Sequence, residues 1–169
     1  MKKTIKILTL ATAMFAFVLS AYSQVGANAT ASANIIAPIT ITKDVDLHFG
    51  TVIKGPTGGT VILTPLNVRS VTGDVTLSAI APVSAPASFT VGGEPTFTYS
   101  ISVAGDPLTI TSGGNTMTVV TFTTDPTPTG TIGGGGTETL NVGATLNVGA
   151  NQPSGLYTGG PFTVTVNYN

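Results

Sequence analysis

The stretch Leu140-Asn-Val-Gly-Ala-Thr-Leu-Asn-Val148 places Leu140, Val142, Ala144, Leu146 and Val148 at alternate positions, with Asn141, Gly143, Thr145 and Asn147 between them. Side chains two apart share one face of a strand, so this segment predicts a β-strand with one buried face. The same period of two recurs elsewhere. Phe97, Tyr99, Ile101 and Val103 alternate with Thr98, Ser100 and Ser102, and Phe162, Val164, Val166 and Tyr168 alternate with Thr163, Thr165 and Asn167 near the end of the chain. Upstream, Val25, Ala27, Ala29, Ala31, Ala33 and Ile35 alternate with Asn28, Thr30, Ser32 and Asn34, which predicts one long strand with a small-residue face. Apolar residues at helical spacing are absent after the first 23 residues, so a helix there would have no face to bury.

Turn residues fall between these runs. Gly58-Gly59, Thr72-Gly73-Asp74, Gly92-Gly93, Gly113-Gly114-Asn115 and Gly159-Gly160-Pro161 supply positive φ or pre-set turn angles where hairpins reverse. Short strands with such turns point to an antiparallel sandwich, since a parallel sheet needs helical crossovers. Residues 125–136 carry Pro126, Pro128 and four consecutive glycines, and are expected to form a long exposed loop.

With 169 residues the chain has the length of one domain. It opens with Lys2, Lys3 and Lys6, then an apolar run from Ile7 to Leu19, then Ser20-Ala-Tyr-Ser23. That pattern predicts a signal peptide over residues 1–23, cut after Ser23, and a single β domain over 24–169. The apolar run is shorter than the ~20 residues that span a bilayer. After cleavage Lys43, Lys54 and Arg69 remain against seven acids, a net charge of 3 − 7 = −4. The expected mature protein is exported, in transit through the periplasm to the cell surface or medium. It has neither a basic footprint for nucleic acid nor a segment for membrane insertion.

The chain contains no cysteine, which excludes thiol nucleophiles, thiolate metal sites and disulfides. No G-x-S-x-G elbow occurs, and His48 is the one histidine available for any serine chemistry. Gly133 to Gly136 have no following lysine and so do not form a phosphate-binding loop. No cofactor is expected, and the chain reads as a non-enzyme. Asp44, Asp46 and His48 are the one cluster of metal-ligand types; at i, i+2 and i+4 they would share a strand face, opposite buried Val45, Leu47 and Phe49. A solvated strand face is the expected role of that cluster.

Six blocks, in order, carry a resemblance: Ala31-Ser-Ala-Asn-Ile-Ile-Ala-Pro-Ile-Thr-Ile-Thr42, Leu47-His-Phe-Gly50, Phe89-Thr-Val-Gly-Gly93, Val142-Gly-Ala-Thr-Leu146, Gln152-Pro-Ser-Gly-Leu-Tyr157 and Phe162-Thr-Val-Thr-Val-Asn-Tyr-Asn169. Together they resemble a secreted bacterial family, domain of unknown function 4402, which is distantly similar to spore coat protein U and to chaperone-usher pilin subunits. The resemblance implies an immunoglobulin-like or pilin-like β-sandwich serving in a surface assembly. Physically, Leu47 and Phe49 should enter the core together, with Gly50 allowing a bend. Gly155 and Tyr157 resemble a corner that buries the ring and ties its hydroxyl to backbone.

Two functions follow as expectations. In the first, the protein is a subunit of a fimbria-like filament or coat. Val25, Ala27, Ala29, Ala31, Ala33 and Ile35 then form a donor strand for a second copy or another surface subunit, and a periplasmic chaperone grips the strand of Phe162, Val164, Val166 and Tyr168. In the second, it is a monomeric secreted module that adheres to glycans or host surfaces through a loop such as 125–136.

Overall fold

A computed structural model describes residues 25–169. The expected leader, residues 1–23, and Gln24 lie outside the described residues. The chain divides between Ile35 and Ile36. Residues 25–35 carry no strand, and every one of them is exposed, Val25 at 89% and Ile35 at 93%. The long strand expected there is therefore not formed. Its alternating face is alanine between the two end residues, which gives a lone strand little apolar surface to bury.

Residues 36–169 are all-β, with no helix and antiparallel pairing throughout. The strands are β1 (Thr40–Val45), β2 (Val52–Ile53), β3 (Gly59–Leu63), β4 (Arg69–Gly73), β5 (Thr76–Leu77), β6 (Ala87–Gly92), β7 (Thr98–Ala104), β8 (Leu108–Ser112), β9 (Asn115–Asp125), β10 (Thr129–Thr131), β11 (Thr137–Val148), β12 (Thr158–Gly159) and β13 (Thr163–Tyr168). The largest sheet runs β1-β6-β11-β9-β8-β12, with β3 also on β11 and β4 on β3. A second sheet runs β10-β7-β13, and β2 pairs with β5.

β11 organises the domain. Along one edge its first half pairs with β6 and its second half with β3, while β9 follows the other edge. The handover falls at Gly143, where a Cβ would overlap the Leu63 carbonyl and the Thr64–Pro65 backbone. Only glycine lets two strands end against one edge so closely. The inward residues Leu140, Val142, Ala144, Leu146 and Val148 are all buried. All but Val142 divide between two cores. Leu140 joins Val91, Tyr99, Ile132 and Val166 between the largest sheet and the three-stranded one. Ala144, Leu146 and Val148 join Phe49, Val61, Leu63, Val75 and Val119.

Residues 125–136 differ from the exposed loop expected. Thr129–Thr131 form edge strand β10 on β7, and both Gly130 and Ile132 are buried. Both prolines precede this short strand, where no donor of its ladder is lost. Gly130 is required because the ring of Tyr99 occupies the space its Cβ would take. The Gly113-Gly114 turn does join the β8–β9 hairpin, with φ of 52° and 85°, as a two-residue turn with both centres left-handed requires.

Candidate functional site

Beside the second half of β11 the covering layer is incomplete, and an open groove of about 860 Å³ remains. Its floor carries Leu108, Ile110, Met117 and Leu146 from β8, β9 and β11; Val45 to Thr51 form one wall and Gln152 to Phe162 the other. Apolar side chains that period two aims inward stop here half-covered. Leu108, Ile110, Met117, Phe89 and Phe162 are each partly exposed, and Val45 is 44% exposed. A strand of the covering layer laid in this groove would bury them.

The first wall is fixed by Arg69. Its Nη1 donates to the carbonyls of Phe49 at 3.1 Å and Thr51 at 3.4 Å, and its Nη2 to that of Ser78 at 3.0 Å. The guanidinium thus satisfies the carbonyls of Phe49 and Ser78, which no ladder pairs, and adds a second donor to that of Thr51, which already accepts from the Ser78 N–H at 3.1 Å. Gly50, at φ +79°, makes the bend, and a Cβ there would lie 2.6 Å from Arg69 Nη1. Its N–H donates to His48 Nδ1 at 2.8 Å. Phe49 is buried and Leu47 half-buried in the core beneath.

The second wall is tied by Gln152 and Tyr157. Gln152 Nε2 donates to Thr116 O at 3.1 Å and to Tyr157 Oη at 2.9 Å, and Tyr157 Oη donates to Pro153 O at 2.8 Å. The Tyr157 ring is half-buried. Gly155 leaves room for Ser112, which a Cβ would strike. At the end of this wall Phe162 stacks on Phe122, with centroids 4.8 Å apart. A bulge brings Phe122 inward: Gly143 faces Thr123 while Thr145 faces Val120, so β9 holds one extra residue. The bulged Thr121 sits at φ 54°, its N–H held by Asp106 Oδ2 at 2.8 Å. The break from alternation in Met117-Thr-Val-Val-Thr-Phe122 was the sequence signal of this bulge.

β13 follows Phe162. Phe162 is half-buried, and along β13 Val164 and Tyr168 are half-buried and Val166 is buried, while Thr163, Thr165 and Asn167 face out. Among the described residues β13 pairs only with β7, which leaves its other edge without a ladder.

Asp44, Asp46 and His48 do not share a face. β1 ends at Val45 with a bulge between Lys43 and Val45, which breaks the period of two. Asp44 accepts from Thr90 Oγ1 at 2.8 Å, Asp46 pairs with Lys43 at 2.6 Å, and His48 bridges Ala85. No group of three potential metal ligands forms among the described residues. Val45, expected to be buried opposite them, instead lines the groove.

Away from the groove, the fully buried Tyr99 hydroxyl lies near Glu138, and neither Tyr99 Oη nor Glu138 Oε2 has an aligned hydrogen-bond partner. Burial first, and then the Glu138 carboxylate, push the phenol above its ordinary range.

A family model described as Domain of unknown function (DUF4402) matches residues 39–168. The chain belongs to the DUF4402 family. That match covers every strand of the domain and both walls of the groove. No curated protein and no solved structure matches this DUF4402 chain.

Proposed function

We propose that this DUF4402 protein is a non-enzymatic structural subunit of a cell-surface or extracellular assembly, joined by β-strand pairing. The observation that carries the reading is the open apolar groove of about 860 Å³, in a chain whose alternating segment 25–35 is unpaired. In this reading the domain is an immunoglobulin-like, pilin-like sandwich short of one covering strand. Val25, Ala27, Ala29, Ala31, Ala33 and Ile35 of a neighbouring copy then supply the missing face. Main-chain bonds along the free edge of β13 contribute affinity, and alternate side chains contribute fit. Before assembly a periplasmic chaperone covers the same edge. Export through the leader brings the subunit to the surface.

Size-exclusion chromatography and negative-stain microscopy of the exported protein, with gel mobility before and after boiling, test this. Fibres and a heat-labile ladder are expected, and deletion of residues 24–36 should leave a soluble monomer. A single monomeric peak from the full exported chain overturns the proposal. It would favour a second reading, a monomeric adhesion module. Exposed Leu66, Val68, Ile80 and Val83 support that alternative, on loops joined where Ser84 Oγ donates to Asn67 Oδ1 at 3.0 Å.

A further inference from the structure

Two neighbouring loops hold aliphatic side chains out in water. Residues 64–68 join β3 to β4, and residues 78–86 join β5 to β6. Leu66 is 73% exposed, Val68 60%, Ile80 72% and Val83 70%. Ser84 Oγ donates to Asn67 Oδ1 at 3.0 Å, which sets the two loops side by side. Arg69 ties them at the base, since it opens β4 directly after the first loop and its Nη2 donates to the carbonyl of Ser78, where the second loop begins. The apolar side chains are thus presented by a braced pair of loops.

The backbone of this surface asks little of water. In the first loop the N–H of Asn67 donates to Thr64 O at 3.0 Å, that of Val68 to Thr64 Oγ1 at 3.1 Å and that of Thr64 to Val68 O at 3.0 Å, while Pro65 has no N–H. Asn67, at φ 59°, is the left-handed residue that closes a three-residue hairpin loop, and Leu66 stands at its tip. In the second loop the N–H of Ser78 donates to Thr51 O at 3.1 Å, that of Ile80 to Ser78 Oγ at 3.1 Å and that of Ala85 to His48 O at 2.8 Å. Pro82 and Pro86 have no N–H, and the Pro82 carbonyl accepts from the Thr51 N–H at 3.1 Å. Loops that satisfy their own donors can leave water at small cost.

The side chains select the partner. Neither loop carries a charged group or an aromatic ring. The centre of a protein–protein interface is enriched in aromatic residues, methionine and arginine, and leucine and valine are under-represented among its hot spots. Leucine, isoleucine and valine are instead among the residues that enter hydrocarbon most favourably. An uncharged aliphatic surface has no group to hold an anionic headgroup, and residues 24–169 carry a net charge of 3 − 7 = −4, which opposes a negative membrane. We infer that these two loops dock the domain on a lipid surface of neutral, zwitterionic headgroups, with Leu66, Val68, Ile80 and Val83 reaching the acyl boundary. The residues are split between two loops, so no continuous apolar run marks them in the sequence. The inference is independent of what fills the groove.

The chain contains no tryptophan, so a single indole reports on its own position. In the exported protein, the emission of Leu66→Trp should shift to the blue on adding phosphatidylcholine vesicles and be quenched by brominated acyl chains. Leu156→Trp, at a residue 72% exposed on the second wall of the groove, should show neither change. In flotation the parent protein should rise with these vesicles, and less of it should rise as phosphatidylglycerol is added. Leu66→Asn with Ile80→Asn should lower the partition coefficient at least about tenfold, the weight of two aliphatic side chains kept in water. Its melting curve should match the parent, because both side chains are already exposed. Failure of the parent to float overturns the proposal. So do equal quenching at positions 66 and 156, binding that survives the double substitution, and binding that rises with anionic lipid. A blue shift of L66W without vesicles that grows with protein concentration also overturns it, since a second copy then covers the loops.

Discussion

The two halves of β11 carry the same kind of inward residue into different surroundings. Leu140 ends in a closed core, covered by Tyr99 and Val166 of the three-stranded sheet. Leu146, six residues on, is nearly as buried from its own side, but the layer above it is interrupted by the groove. The difference lies in the cover and not in β11. β7 and β13 lie over the first half, whereas over the second half two short strands, an arginine-braced bend and a tyrosine corner leave the middle open. A sheet face that is apolar along its whole length but covered along half of it exposes apolar surface until a partner covers the rest.

Substitutions should separate the halves. Leu140→Ala has the largest expected effect, about 3–4 kcal/mol lost in denaturant unfolding, since its neighbours close on it from both sheets. Leu108→Ala on the groove floor should lose about 1–2 kcal/mol, because that side chain is only partly buried. Equal losses at the two sites would mean that the groove is closed in solution.

Arg69→Met should come next, at about 2 kcal/mol, as the methionine keeps the packing and strands the carbonyls of Phe49 and Ser78, while that of Thr51 keeps the Ser78 N–H. The damage should remain on the groove side. Hydrogen exchange is expected to rise in residues 47–52 and to stay unchanged in β7 and β13. Arg69→Lys should restore little of it, since one ammonium lacks the planar fork that reaches all three.

A third comparison uses pH. Burial and Glu138 raise the Tyr99 phenol in the folded state above the unfolded value of about 10. Below about pH 10 the phenol is neutral in both states and its contribution is constant. As pH rises above that, the unfolded chain ionises first and stability falls by ~1 kcal/mol per pH unit. Tyr99→Phe should remove this component of the slope, and at pH 7 it should leave stability nearly unchanged, because the hydroxyl has no aligned partner to lose. Substitutions lining the groove should not alter the alkaline slope. The smallest effect is expected at Asp46→Ala, within about 0.5 kcal/mol, since the pair with Lys43 is solvent-exposed.

Period two was legible wherever a strand buries one face. Leu140 to Val148, and Phe162 to Tyr168, were readable because burial and alternation are the same physical fact seen twice. Reading failed where one residue interrupts the period. The bulge near Asp44 scattered the Asp44, Asp46 and His48 cluster, and the bulge at Thr121 turned Phe122 inward. It failed also at Val25 to Ile35, where alternation without bulk forms no strand in this chain. Arg69 carried no local sign of its role, because the three carbonyls it serves lie 9 to 20 residues away. The hydrogen bonds of Ala37 span 57 residues to Glu94 and 131 to Tyr168, separations at which no pattern in a single chain points from one partner to the other.

By itself the sequence determined that the domain is β, that its pairing is antiparallel and which faces of its long strands are apolar, because alternation and turn residues act between near neighbours. Only the tertiary structure decided that β11 is shared between β6 and β3 at Gly143, that the cover over its second half is incomplete, and that the Ala37 carbonyl meets the Tyr168 hydroxyl. Those features depend on which distant backbones meet, and a contact of that kind is chosen by packing the whole chain at once rather than by any local run of residues.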